Sequence, residues 1–206
     1  MKKTPSPLPQ TASQTAGPYV HIGLAPERAG FSVYAAEMGH TIADPDVPGE
    51  RIRIEGTVID GDGALVKDAL IEVWQADAHG NYANTAQTVS GPAGFRGWGR
   101  AACDFTTGQW HIDTIKPGPW TDPDGGHHAP HLCLWIVARG INIGLHTRVY
   151  FDDEEQTNAA DPVLMGRTDA ARRNTLIAKS VKGTEPRLYR FDIRLQGAAE
   201  TVFFDV

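Results

Sequence analysis

The sequence predicts an all-β fold, an antiparallel β-sandwich with an extended N-terminal arm and little helix. Two observations carry this. From Arg51 onward the apolar residues come in short alternating or continuous runs, and clusters of Gly, Pro, Asn and Asp separate the runs at sandwich-like intervals. Only one short stretch, Thr168 to Asn174, has a helical composition.

Residues 1 to about 18 are rich in Pro, Ser, Thr and Gln, which favours an extended arm and offers little to bury within its own domain. A loose tail is the default for such a terminus, although the arm ends in an aromatic, Tyr19. Residues 1–50 are taken as an arm and partner-contacting segment, and residues 51–206 as the sandwich. Within the latter, Ile52 to Ile59, Leu70 to Trp74 and Trp110 to Ile115 read as strands. Turns are expected at Asp60-Gly61-Asp62-Gly63, His79-Gly80-Asn81 and Pro117-Gly118-Pro119. Strands are expected again at Leu132 to Ala138, Thr147 to Phe151, Thr175 to Val181, Leu188 to Leu195 and Thr201 to Val206. There is no Gly-rich phosphate loop and no internal repeat.

Composition narrows the function. The 206 residues are 41% hydrophobic and 21% charged, ordinary for one globular domain. The net charge of -6 is dispersed, which points away from nucleic acid and anionic membrane and toward small molecules or protein. Cys103 and Cys133 lie in no metal-site spacing, so neither a disulfide nor a zinc framework is indicated, and a reducing cytoplasm is expected. Pro5, Pro7 and Pro9 stand where a secretory signal needs an apolar run, and no apolar stretch is long enough for a membrane helix.

Chemistry is first suggested by His127, His128 and His131, because neutral imidazole is a common ligand of transition metals. Spacing alone assigns no site, since a Gly-Gly-His-His-Ala-Pro-His loop is more often polar and solvated. Three stretches add weight: Leu70 to Asp77 with Gly80-Asn81-Tyr82, Thr114 to Pro119, and Ala129-Pro130-His131. Through these the chain resembles the intradiol ring-cleavage dioxygenases.

The resemblance implies a ferric site of two tyrosinates and two histidines, and each position can be checked here. Tyr82 and His131 match a tyrosine and a histidine of that set. Trp120 stands where the second tyrosine is expected and Cys133 where the second histidine is expected. An indole offers no anionic oxygen, and a cysteine between Leu132 and Leu134 reads as a small buried hydrophobe. These four positions are therefore vestigial, with no catalytic residue and no metal held by this chain alone.

Other segments are similar to the iron-free, alpha-type subunits of the same family, above all Ser13 to Leu24, Ala138 to Ile143 and Thr201 to Asp205. That likeness implies an iron-binding beta-type partner, Fe(III) held by the partner, and a higher-order alpha–beta hetero-oligomer. It also implies protocatechuate and O2 as substrates. Thr15, Gly17, Pro18, Tyr19 and Arg139 would line the partner's site, with Arg139 offsetting the substrate carboxylate. Two other readings stand beside this one. In one the chain holds iron itself through Tyr82, His131, Cys133 and His127 or His128; in the other it is a β-sandwich scaffold with no catalytic part.

Overall fold

The computed structural model describes residues 11–17, 19–35, 39, 41–83 and 94–205. The first ten residues of the arm, Pro18 and Val206 lie outside these. Among the described residues, eleven strands make up most of the regular secondary structure. In chain order they are β1 Arg51–Ile59, β2 Leu70–Gln75, β3 Trp98–Ala102, β4 Gln109–Ile115, β5 Trp120–Thr121, β6 His127–His128, β7 His131–Val137, β8 Leu145–Phe151, β9 Ile177–Val181, β10 Arg187–Arg190 and β11 Ile193–Arg194. Three short helices, α1 Val20–Leu24, α2 Glu155–Asn158 and α3 Pro162–Gly166, and a 3-10 turn at Arg173–Leu176 complete the set. None of these helices is long and apolar enough to cross a membrane.

β1 shows how the pattern acts. Ile52, Ile54 and Val58 are buried while Arg51, Arg53 and Glu55 stay partly exposed, as a strand with one covered face requires. β2 is different: Leu70 to Val73 are all buried, so both of its faces are covered. β1 is flanked by β4, antiparallel, and by β10 then β11, parallel. The ladder continues from β10 through β9, β8, β7 and β2 to β3, giving one nine-stranded, nearly closed sheet. Its core joins Ile52 and Ile54 to Ile71, Ile112, Leu134 and Phe151. Each fully buried side chain of this size stabilises the fold by roughly 1.5–3 kcal/mol.

The β-rich fold is as expected, but the pairing is not wholly antiparallel. The ladders β1/β10, β1/β11 and β8/β9 are parallel. A parallel pair needs a long crossover, and the link from β8 to β9 supplies one through α2, α3 and the 3-10 turn.

Several boundaries move. The helix expected at Thr168 to Asn174 forms instead at α3, where Asp161 caps the N-terminus by accepting from the backbone N–H of Val163 and Leu164, and Pro162 starts the helix. Thr201 to Val206 was expected as a strand, but Phe204 makes only an isolated bridge to His146. Leu188 to Leu195 breaks into β10 and β11. The arm is not extended throughout, because Val20–Leu24 coils into α1 and docks on Leu70, Ala102 and Val137.

Candidate functional site

The register of β7 and β8 builds one end of the remnant pocket. His131 pairs across from Tyr150 and Cys133 from Arg148, so all four side chains leave the same face. Tyr82 arrives from the turn after β2, where Asp77 Oδ1 accepts from the backbone N–H of His79 (2.8 Å) and Asn81 (2.9 Å). Gly80 in that turn has a φ of +84°, and a Cβ there would meet the Pro119 carbonyl oxygen at 1.9 Å. Only glycine lets this turn press on the Pro117-Gly118-Pro119 segment, which in turn delivers Trp120 on β5.

All four family positions come together. The Tyr82 hydroxyl is 3.4 Å from His131 Nε2 and hydrogen-bonds with the Cys133 thiol. The Tyr82 and Trp120 rings meet edge to face at 5.4 Å, and Trp120 stacks on His128 at 4.9 Å. His131 Nδ1 donates to the Ala129 carbonyl at 2.7 Å, which leaves Nε2 as acceptor.

This donor set does not fit a ferric ion. Burial is the main reason the Tyr82 phenol is held far above its ordinary range, with the neighbouring Cys133 adding to it. Burial likewise pushes the Cys133 thiol up, although Arg148 and Tyr82 pull against it. Burial lowers His131 to about 4, so its ring is neutral. Trp120 provides no lone pair for a metal. Cys133 also differs from expectation, since it is partly exposed and faces polar groups rather than the apolar core. The sulfur alternates with Leu132 and Leu134 along the strand, and alternation puts it on the opposite face.

The histidines of the loop are occupied elsewhere. His128 Nε2 donates to Asp122 Oδ2 at 3.1 Å, while its Nδ1 lies 3.3 Å from the Arg148 guanidinium. His127 is exposed on the β5–β6 hairpin, with Nδ1 3.0 Å from the Thr121 hydroxyl. His127 is thus engaged away from the Tyr82–His131 pair, whereas His128 borders the pocket, its ring 6.0 Å from that of His131, with both nitrogens already engaged.

Two residues around this pocket were not singled out from the sequence. Asp161 is fully buried and accepts from the Tyr150 hydroxyl (3.0 Å) and the Ala129 N–H (2.9 Å) besides capping α3. The Asp-Pro pair ahead of an apolar run was its available signal. Arg148 closes the stretch Leu145 to Arg148, which is also similar to the alpha-type subunits, but its place in the pocket was not legible because its partners come from β6 and β7.

The substrate-binding candidates lie elsewhere. Arg139 follows the far end of β7, and the strand puts about 20 Å between its ends. Its Nε donates to Asp68, and the side chain is 63% exposed. The arm reaches the same loop: the Gly140 N–H donates to Thr15 Oγ1 at 2.7 Å, and the Thr15 hydroxyl donates to the Ala138 carbonyl at 3.4 Å. Gly17 has open space beside it and Tyr19 is 77% exposed. The structure therefore joins Thr15 to the Arg139 loop, on the rim of an open groove of about 1100 Å³, while Pro18 lies outside the described residues.

The profile of a dioxygenase family, Dioxygenase_C, matches residues 32–197. This chain belongs to the intradiol dioxygenase family. It is 51% identical to the protocatechuate 3,4-dioxygenase alpha chain of Pseudomonas putida, over 96% of this chain and 97% of that one. Against the protocatechuate 3,4-dioxygenase beta chain of Burkholderia cepacia it is 34% identical, over 74% of this chain and 67% of the other. The crystal structure of 3-chlorocatechol 1,2-dioxygenase from Rhodococcus opacus shares the intradiol fold, with a TM-score of 0.62 at 22% identity over 90% of this chain and 71% of that one.

Proposed function

We propose that this chain is the iron-free alpha subunit of a protocatechuate 3,4-dioxygenase, working in the cytoplasm beside an iron-binding beta subunit. Together they would cleave protocatechuate with O2 to 3-carboxy-cis,cis-muconate, a step of aromatic catabolism in the β-ketoadipate pathway. The observation that carries this reading is the separation within the chain itself. Its own ligand positions are dismantled at one end of β7, while the arm and Arg139 stand at the other. Residues that far from their own ligand positions are placed where they could line another chain's site.

Fe(III) held by the partner would supply the coordination that opens the catechol ring to O2. This chain's residues would bind and orient. Arg139 is tethered through Nε to Asp68, and the two remaining guanidinium nitrogens suit a carboxylate in a paired geometry. Thr15 braces the loop carrying Arg139, and Gly17, Pro18 and Tyr19 would complete the wall. Residues 1–50 would act as the arm and partner-contacting segment, beside the sandwich of 51–206. In support, five of the ten exposed large hydrophobics among the described residues fall in this segment: Tyr19, Ile22, Phe31, Val33 and Tyr34. Ile42 and Val47, toward its end, already pack into the core. Two free cysteines, Cys103 and Cys133, suit a reducing compartment.

The deciding experiment measures iron and protocatechuate turnover for this chain alone and co-expressed with a beta-type partner. Iron and activity are expected only in the co-expressed complex; iron-dependent turnover by this chain alone would overturn the reading.

A further inference from the structure

We propose that Arg148 is an internal cation that closes the remnant pocket to iron. This rests on the reading that Tyr82, Trp120, His131 and Cys133 stand at former ligand positions. It adds a third obstacle, on a different strand, to those at Trp120 and Cys133.

Cross-strand pairing sets Arg148 directly opposite Cys133. The guanidinium approaches His128 Nδ1 at 3.3 Å and the Tyr150 hydroxyl at 3.4 Å, and it hydrogen-bonds with the Cys133 sulfur. Tyr150 in turn donates to Asp161 at 3.0 Å. Among the described residues no carboxylate forms a direct ion pair with Arg148, so its charge is spent on the ring and thiol groups of the pocket. A solvated strand arginine would instead extend outward, and this one is partly buried. A ferric ion seated among Tyr82, His131 and position 133 would lie beside a fixed positive charge, which repels it, with the Asp161 carboxylate acting on that charge without a direct ion pair. The same charge is compatible with the pocket as it stands, because every group it touches is neutral or an acceptor. Restoring the two lost ligands should therefore fail to restore the metal unless the charge is also removed.

The test uses the assembled complex with the beta partner and reads iron per complex by elemental analysis, together with the visible tyrosinate-to-iron absorption. The variants in this chain are Trp120→Tyr/Cys133→His, the same pair with Arg148→Gln, and the same pair with Arg148→Lys. The double variant and the Lys triple are expected to keep the wild-type iron content, and the Gln triple to gain up to one further iron per copy of this chain. Iron gained by the double variant, or none gained by an assembled Gln triple, overturns the proposal. If the Gln triple does not assemble, Arg148→Gln alone is challenged with Co(II). Appearance of a thiolate-to-cobalt absorption band that wild type lacks supports the proposal, and no difference between the two overturns it. Turnover by the wild-type complex tests the subunit reading separately, so the two failures are distinguishable.

Discussion

Arg139 is held from behind. Because its Nε is committed to Asp68, the guanidinium plane is oriented before any ligand arrives, and less side-chain entropy remains to be lost on binding. A charge-assisted hydrogen bond from this guanidinium to a substrate carboxylate in a closed site would contribute about 1.5–3 kcal/mol. Arg139→Ala in the assembled complex should accordingly raise the KM for protocatechuate roughly 10- to 100-fold while leaving that for catechol, which lacks the carboxylate, nearly unchanged. An equal effect on both would remove this role for Arg139. At this scale Tyr82, Trp120, His131 and Cys133 were legible because motif residues flank each of them. Arg148 and Asp161 were not, since their importance comes from partners brought in by β6, β7 and α3.

At the scale of elements, α1 is the informative case. A helix of five residues cannot persist alone, so its order depends on docking. Val20 and Leu24 pack near Leu70 and Val137, and the Arg100 guanidinium donates to the Leu24 carbonyl at 2.8 Å. His21 is buried with Nε2 unpartnered among the described residues, and its ring meets Phe105 edge-on at 5.1 Å. Burial holds His21 below its usual 6.5; Asp68 and the Ala69 backbone pull it up, and Arg139 adds to the lowering. The undocked ring then binds a proton more readily than the docked one. Docking is fully stable above about pH 6.5 and weakens as the pH falls through the lower folded value. Amide exchange of Val20–Leu24 should show more frequent opening at pH 5 than at pH 7.5 after correction for intrinsic rates, and His21→Phe should abolish the difference. A pH-independent wild type would refute the link. The sequence did not reveal α1, because a five-residue helix has too little periodicity to register.

For the whole molecule, the nearly closed sheet leaves its apolar surplus at the N-terminal segment and around the groove, where Phe105 and Ile143 are also exposed. Apolar area of this kind marks an interaction surface. The isolated chain is expected to self-associate with rising concentration in sedimentation velocity, and co-expression with the beta partner should replace those species by a defined complex. A strictly monomeric isolated chain at high concentration would count against an exposed partner face.

The sequence by itself determined the β-rich class, most strand positions and the loss of half the family's ligand set, because alternation, turn residues and donor chemistry are local properties. Tertiary structure alone decided that β8/β9 and the β1 ladders with β10 and β11 run parallel, since strand direction across a long crossover has no local signature. It also decided that Arg148 faces Cys133, which depends on the register between β7 and β8. The placement of the arm and Arg139 at the far end of β7 from the remnant pocket was settled in the same way, because a strand converts residue count into distance only once it is formed.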